Sequence, residues 1–339
     1  MTSLRRWIGI LVAGCGVPLA LVAQQRIAIP SGEEMAPTSV PVSSPAEGPT
    51  LPTDPSLPLS PSGRHYPLVP AQADVLAQLI SVLEEAIRNP ATPLDQIPQL
   101  AHQQQVIYRV LSHEPERATA VRNALPTRWR WVFDQHIAAR REFLAMHRGP
   151  ASARVPAWRI QSPAPEAQLL RAYRSAAEAT GIPWTVLAAV NLVETGMGRI
   201  DGVSVANAQG PMQFLPTTWA EAGIGQGGDI RDPWDSIHAA ARYLVRRGGL
   251  RDLRQGLWGY NNSNHYGEAV LRYAALLDRD PLAYRGLYYW QIHYASAAGD
   301  LWLHEGYHRS KPASAHQHTR EQPFSKPPST LPLSTNTQS

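Results

Sequence analysis

The chain has 339 residues, of which 31 are proline and one is cysteine, and its formal net charge is +4. The prolines are concentrated in a few stretches, so we expect the folded part to be smaller than the whole chain. The lone Cys15 excludes an intramolecular disulfide, and stability must therefore come from packing. The small positive charge is a weak bias toward polyanions and identifies no partner.

Residues 1–25 have the pattern of a signal peptide. Arg5 and Arg6 precede an apolar run over residues 7–23. The Leu-Val-Ala at 21–23 resembles a cleavage site, whereas the Val-Ala-Gly-Cys ending at Cys15 resembles a lipobox that would attach a lipid. The run is also roughly long enough to remain as a short membrane anchor. We expect an exported, extracytoplasmic protein, either secreted or held in the cell envelope, and we rank simple cleavage first.

Two further segments predict disorder. Residues 26–70 include eleven prolines between Pro30 and Pro70. Such a composition buries too little apolar surface to offset the entropy of ordering, so we predict an extended, Pro-rich disordered linker. Residues 310–339 are rich in Pro, Ser and Thr, and we predict a disordered tail there.

Residues 71–150 are predicted to form a helical region. Apolar residues recur at helical spacing in two clear segments, and prolines separate the first segment from a middle one. We expect three or four helices that serve as a packing or spacer unit, with a dedicated wall-binding role as the alternative. Four arginines are expected on a solvated face: Arg128, Arg130, Arg140 and Arg141.

Residues 151–309 are predicted to form a second folded unit that is also mainly helical. Residues 166–180 read as a helix closed by Gly181, and Pro183 begins the next helix at a position where its missing amide costs nothing. After Pro281 the sequence becomes aromatic and β-branched over 287–294 and then reaches Ala298-Gly299-Asp300. This pattern predicts a short C-terminal β-hairpin.

Glu194 is the main candidate for catalysis. It ends an apolar helical stretch and is followed by glycines that would let a ligand approach closely. Burial raises the pKa of a carboxyl, which lets it donate a proton near neutral pH, as cleavage of a sugar bond requires. A single glutamate at a helix end is more often an ordinary solvated residue, so the interpretation depends on its neighbours.

Two later motifs supply those neighbours, Gly210-Pro211-Met212-Gln213-Phe214 and Gly259-Tyr260-Asn261. The amide of Gln213 can bind N-acetyl and hydroxyl groups between the apolar walls of Met212 and Phe214. Tyr260 can donate to the Glu194 carboxylate, and Asn261 can bind sugar hydroxyls. Taken singly, each segment would more often be a plain loop or turn.

Together with Glu194-Thr195-Gly196, these motifs resemble the catalytic domain of the soluble lytic transglycosylases, a lysozyme-like fold that acts on peptidoglycan. The family pattern is Glu-Ser followed by Gly, then Gly-Leu-Met-Gln-aliphatic, then Ala-Tyr-Asn. The resemblance covers about residues 160–280 and is similar to the versions found in actinobacteria. Thr195 keeps the hydroxyl of serine, while Gly259 in place of alanine and the lack of a glycine after Asn261 are departures.

The resemblance implies that Glu194 protonates the bond between N-acetylmuramic acid and N-acetylglucosamine and then takes a proton from the muramoyl C6 hydroxyl, which gives a 1,6-anhydromuramoyl end. It implies a lysozyme-like fold for residues 151–309 and peptidoglycan strands as the partner of a monomeric enzyme. It also implies that a set of residues binds substrate: Thr195, Met212, Gln213, Tyr260 and Asn261.

Two alternatives remain open at this point. A lysozyme-type hydrolase would need a second carboxylate to activate water, and Asp201 is the candidate, although it reads more readily as a solvated turn residue. A non-catalytic peptidoglycan-binding scaffold could also keep the fold. The sequence has no metal-binding motif, no phosphate-binding loop and no nucleic-acid-binding module, so we expect no metal, no cofactor and no nucleic-acid partner.

Overall fold

The computed structural model describes residues 49–146, 149–204 and 206–328. The predicted export segment and the first part of the predicted linker therefore lie outside the described residues. No helix in the described ranges has both the length and the hydropathy needed to cross a bilayer.

Four helices occupy the region in which three or four were predicted. Prolines begin the second and third helices in their first turn, where a missing amide costs no hydrogen bond. The first helix buries Leu76, Ile80, Leu83 and Ile87, which fall on one face at helical spacing. The four helices are α1 (Ala73–Arg88), α2 (Ile97–His113), α3 (Pro115–Ala124) and α4 (Thr127–Met146).

Seven more helices follow before the hairpin. Gly181 ends the first of them with a φ of 80°, a conformation that glycine adopts without a steric penalty. Asp232 and Ser263 cap two others by accepting hydrogen bonds from backbone amides. The seven are α5 (Glu166–Thr180), α6 (Trp184–Thr195), α7 (Pro216–Trp219), α8 (Pro233–Arg246), α9 (Leu253–Asn261), α10 (Asn264–Arg279) and α11 (Ala283–Tyr289).

The strands are short and pair in three antiparallel ribbons, β1 with β6, β2 with β3, and β4 with β5. The β4–β5 ribbon is the predicted hairpin, but it starts at Ile292 because residues 287–289 complete α11. The six strands are β1 (Arg154–Val155), β2 (Arg159–Ile160), β3 (Ile200–Asp201), β4 (Ile292–Ser296), β5 (Gly299–Leu303) and β6 (Ala313–Ser314).

One continuous buried cluster joins residues from α1 through α11. Helix α4 packs along α10, and α2 packs against α11. The region at 71–150 therefore shares its core with the segment that carries Glu194. Because α10 packs against both α4 and α6, the helical region and the helix that carries Glu194 are held in a fixed arrangement.

The expectation of a disordered tail is wrong for residues 310–328. This segment forms β6, a twelfth helix, α12 (Ala315–Glu321), and a 3-10 turn at Pro323–Ser325. The expectation of a disordered linker is likewise wrong where Tyr66, which is 4 % exposed, packs with Trp302 and Phe324 in one cluster. The physical reason is that a few aromatic side chains bury enough apolar surface to order otherwise polar segments. Residues 26–48 and 329–339 lie outside the described residues.

Candidate active site

Glu194 lies in the last turn of α6, a helix whose residues from Thr185 to Asn191 are buried. Gly196 ends the helix in the left-handed conformation, with a φ of 60°. The Glu194 side chain is surrounded by protein but remains partly accessible from a cavity. Burial raises the pKa of this carboxyl from 4.5 to about 7. Half of these groups would thus be protonated near neutral pH, which suits a proton donor.

Two tyrosines flank the Glu194 carboxyl. The ring of Tyr260 lies parallel to that of Tyr266 with centroids 6.3 Å apart. The Tyr266 hydroxyl interacts with Glu194 and lowers its pKa somewhat against the larger effect of burial, although the contact falls short of a well-formed hydrogen bond. Burial and the nearby Glu194 charge raise the pKa of both phenols, so both remain proton donors.

The prediction that Tyr260 donates to Glu194 is therefore wrong. Its hydroxyl donates instead to the backbone carbonyl of Met212 at 2.8 Å. This bond ties the end of α9 to the turn at 210–214. Tyr266, which the sequence analysis did not single out as a site residue, is the phenol directed at the carboxyl.

The turn at 210–214 presents the Gln213 amide to the cavity. Gly210 has a φ of 74°, and a Cβ there would lie 1.9 Å from the Ile230 carbonyl oxygen. Gln213 itself has a φ of 50°, and its Nε2 donates to the Gly210 carbonyl at 3.0 Å. The amide is thus held in one orientation beside the cavity, in which Phe214 also forms part of the wall.

Thr195 and Met212 lie beneath the cavity and not on its surface. Both are 0 % exposed. The Thr195 hydroxyl donates to the Pro211 carbonyl at 2.6 Å and accepts from the Gly198 amide at 2.9 Å. Asn191 donates to the Met212 sulfur at 3.0 Å. The expected contact of Thr195 and Met212 with substrate is therefore replaced by a supporting role, in which they fasten the 210–214 turn to α6.

Asn261 ends α9 and contributes to the cavity wall, and its binding of sugar hydroxyls stays a prediction. The following Asn262 adopts a left-handed conformation with a φ of 41° and ψ of 36°. Gly259 fits closely against Arg247, since a Cβ at this position would meet the guanidinium Nε at 2.3 Å. Glycine in place of alanine thus makes room for the arginine side chain.

Comparison with known families gives one match. Residues 171–274 match the family model described as the transglycosylase SLT domain. This part of the chain is a transglycosylase SLT domain. No curated protein and no solved structure matches the chain.

The SLT domain forms only part of the cavity, which has a volume of about 1140 Å³. Other parts of the cavity lining come from α2 and α4, from the segment at 149–158 and from the start of the hairpin. Trp158 and Tyr294 contribute aromatic rings to the lining, 5.7 Å apart and perpendicular. Such rings offer apolar faces to sugars. Among the residues that the structure describes, Glu194 is the only carboxylate in the lining of this cavity.

The carboxylate of Asp201 is engaged by two arginines. Its carboxylate pairs with Arg159 at 2.7 Å and with Arg231 at 2.8 Å. Its neighbours Ile200 and Gly202 line the cavity, but Asp201 does not. With its carboxylate engaged by two guanidinium groups and absent from the cavity lining, Asp201 is not placed to activate a water molecule in the cavity.

Proposed function

We propose that this protein is a lytic transglycosylase, which cleaves the β-1,4 bond between N-acetylmuramic acid and N-acetylglucosamine in peptidoglycan and leaves 1,6-anhydromuramoyl ends. The proposal rests on one observation: Glu194 is the only carboxyl that the described residues place in the cavity lining, and burial raises its pKa to about 7. The SLT domain at 171–274 supports the same reaction class. A cavity of about 1140 Å³ is large enough for several sugar rings.

In the proposed mechanism, protonated Glu194 donates its proton to the bridging oxygen, and the bond from that oxygen to the muramoyl C1 breaks. The N-acetyl group of the substrate stabilises the resulting cation. The Glu194 carboxylate then accepts the proton of the muramoyl C6 hydroxyl, and the C6 oxygen bonds to C1. No water is consumed, so one enzyme carboxylate is sufficient where most glycosidases use two. Gln213 and Asn261 bind sugar amide and hydroxyl groups during these steps.

A lysozyme-type hydrolase is the nearest alternative. It requires a second carboxylate near the bond to be cleaved, and the ion pairs of Asp201 with Arg159 and Arg231 argue against that role. A non-catalytic scaffold is the other alternative, but a protein that only binds glycan gains nothing from a buried acid. Export, with peptidoglycan strands as the partner of a monomeric enzyme, remains part of the proposal.

The test is to incubate the full chain with purified peptidoglycan and to identify the released muropeptides by mass. We expect products lighter by one water than those of a hydrolytic lysozyme, no release by Glu194→Gln, and unchanged product identity with Asp201→Asn. Products with reducing ends would contradict transglycosylation and favour hydrolysis. Binding without release by the native protein, unaltered in Glu194→Gln, would favour the scaffold.

A further inference from the structure

Arg140 on α4 is a half-buried cation that lines the cavity. Its Nε atom is inaccessible to solvent, and its guanidinium has no hydrogen-bond or ion-pair partner among the described residues. The group lies over the ring of Phe143, 5.6 Å from the centroid. Burial lowers the pKa of Arg140 to about 10, which still leaves the side chain positively charged at neutral pH. The sequence-based expectation of a solvated face is therefore wrong for Arg140.

The other arginines in the cavity lining differ from Arg140. Arg109 forms a two-point ion pair with Asp300, with Nε at 2.6 Å from the carboxylate. Arg154 is exposed and donates to the Pro312 carbonyl at 2.5 Å. Removing a charge from water even in part destabilises the fold unless an opposite charge compensates it. A half-buried, unpaired cation in the lining of a cavity is explained if a ligand supplies the missing negative charge.

Tyr273, on α10, lines the same cavity as Arg140 and Glu194. Its side chain is only 1 % exposed, and its buried hydroxyl has no hydrogen-bond partner among the described residues. Tyr273 therefore contributes packing to the cavity wall, and the accessible cationic donor is Arg140. His293 also lines the cavity, and burial lowers its pKa to about 4, so it is neutral at pH 7.

We propose that Arg140 is the centre of a subsite for a carboxylate of the glycan substrate, carried by the lactyl group of the muramoyl residue or by its peptide stem. A guanidinium supplies both the charge and the paired donors that the two oxygens of a carboxylate require. A single uncompensated positive charge matches a monoanion. This inference rests on the proposed function, since it assigns part of the substrate to the same cavity.

Binding measurements with the full chain, carrying Glu194→Gln to prevent cleavage, test the subsite. The ligands are a neutral N-acetylglucosamine tetramer, an alternating muramoyl tetrasaccharide with free lactyl carboxylates, and the same tetrasaccharide with peptide stems. We expect Arg140→Gln to weaken binding of at least one carboxylate ligand by about tenfold or more, with the neutral tetramer unchanged. The carboxylate ligand whose binding is weakened identifies the source of the carboxylate, either the lactyl group or the peptide stem.

Matched variants separate charge from structure. Arg140→Lys keeps the charge and should retain more of the affinity than Arg140→Gln. Arg141→Gln removes an exposed arginine from the same helix and should change nothing. Arg140→Gln should not lower the melting temperature, because it removes a half-buried charge that has no partner among the described residues.

Two results would overturn the subsite: equal weakening of the neutral and the charged ligands by Arg140→Gln, or no effect on either carboxylate ligand. Cleavage by the protein with native Glu194 is measured in parallel. If that protein releases anhydro products while Arg140→Gln shows no preference, only the subsite fails. If it neither binds nor cleaves any glycan, the proposed function fails as well.

Discussion

Burial of Glu194 has opposite effects on activity and on stability. Near neutral pH it keeps a fraction of the carboxyl protonated, which a proton donor needs. The same burial makes the ionised form costly, because the surrounding protein solvates the charge less well than water does. The position at the C-terminus of α6 adds to this cost, since the helix dipole disfavours a negative charge there.

The first consequence is a pH dependence of cleavage. The free enzyme must have Glu194 protonated to donate, and the pKa of this group is raised to about 7. We expect kcat/KM to be high at about pH 6 and to fall roughly tenfold for each pH unit well above 7. Initial rates of muropeptide release from peptidoglycan across this range measure it. A rate that stays level or rises through neutral pH would contradict the role of Glu194 as the acid.

The second consequence is a pH-dependent gain in stability on Glu194→Gln. The folded pKa is raised from 4.5 to about 7, so the native glutamate destabilises the fold progressively as pH rises from 4.5 to about 7, and the loss is complete above that. This shift corresponds to about 3 kcal/mol. We expect the glutamine variant to be more stable by up to that amount at about pH 8 and equally stable at about pH 4.

Urea unfolding at both pH values provides this measurement. Glu116→Gln, which changes an exposed glutamate of α3, is the matched control and should show no such difference. Equal stability of the native protein and Glu194→Gln at about pH 8 would mean that the carboxyl is well solvated.

At the level of elements, the sequence predicted the helices better than the contacts between them. The three motifs identified Glu194, Gln213 and Asn261 as residues around one cavity because each motif carries its chemistry locally. The partner of the carboxyl was missed: Tyr266 follows the Ser263 cap on α10, and only the packing of α10 against α6 brings it to Glu194. Such a crossing leaves no periodic signal in the sequence.

The tight turn at 210–214 should be sensitive to substitution of Gly210. Gly210 and Gly227 have nearly equal φ values, 74° and 78°, but a Cβ at Gly210 would collide with the Ile230 carbonyl, whereas one at Gly227 would meet nothing within 4 Å. In both alanine variants the left-handed backbone lowers the free energy of unfolding by about 1 kcal/mol. The collision should lower the free energy of unfolding of Gly210→Ala by at least about 2 kcal/mol more. Cleavage should also decrease in this variant, because the Gln213 amide is displaced.

Urea unfolding of the two variants side by side separates the collision from the backbone strain. If Gly210→Ala and Gly227→Ala lose the same stability, the turn is loose enough to move away from Ile230, and the fixed orientation of Gln213 would be contradicted.

For the whole molecule, the sequence predicted a helical region at 71–150 beside a separate catalytic unit, whereas the structure joins them in one core. Arg140 shows why this was missed. Its place in the helical pattern of α4 is compatible with a solvated face, and only packing on α10 turns it toward the cavity. The ordered segment at 310–328 was missed for a similar reason, since Phe324 is buried by distant residues such as Trp302.

Truncation tests the dependence of the SLT domain on this shared core. A chain of residues 151–339 lacks α1–α4, which exposes the apolar face of α10 and removes one cavity wall. We expect it to lose its cooperative thermal unfolding and its release of muropeptides. A chain of residues 49–339 keeps all the described elements and should retain both. Cooperative unfolding and full cleavage by the shorter chain would show that the SLT domain is independent.

Cleavage in water enriched in heavy oxygen tests the non-hydrolytic role of Glu194 most directly. Purified peptidoglycan is digested by the full chain in labelled water, and the new muramoyl ends are examined by mass for the label, with a hydrolytic lysozyme as the positive control. If the C6 oxygen of the sugar closes on C1, the new ends contain no label and no product forms with Glu194→Gln. Label in the new ends of the native digest would contradict this role, because it would mean that water attacks C1.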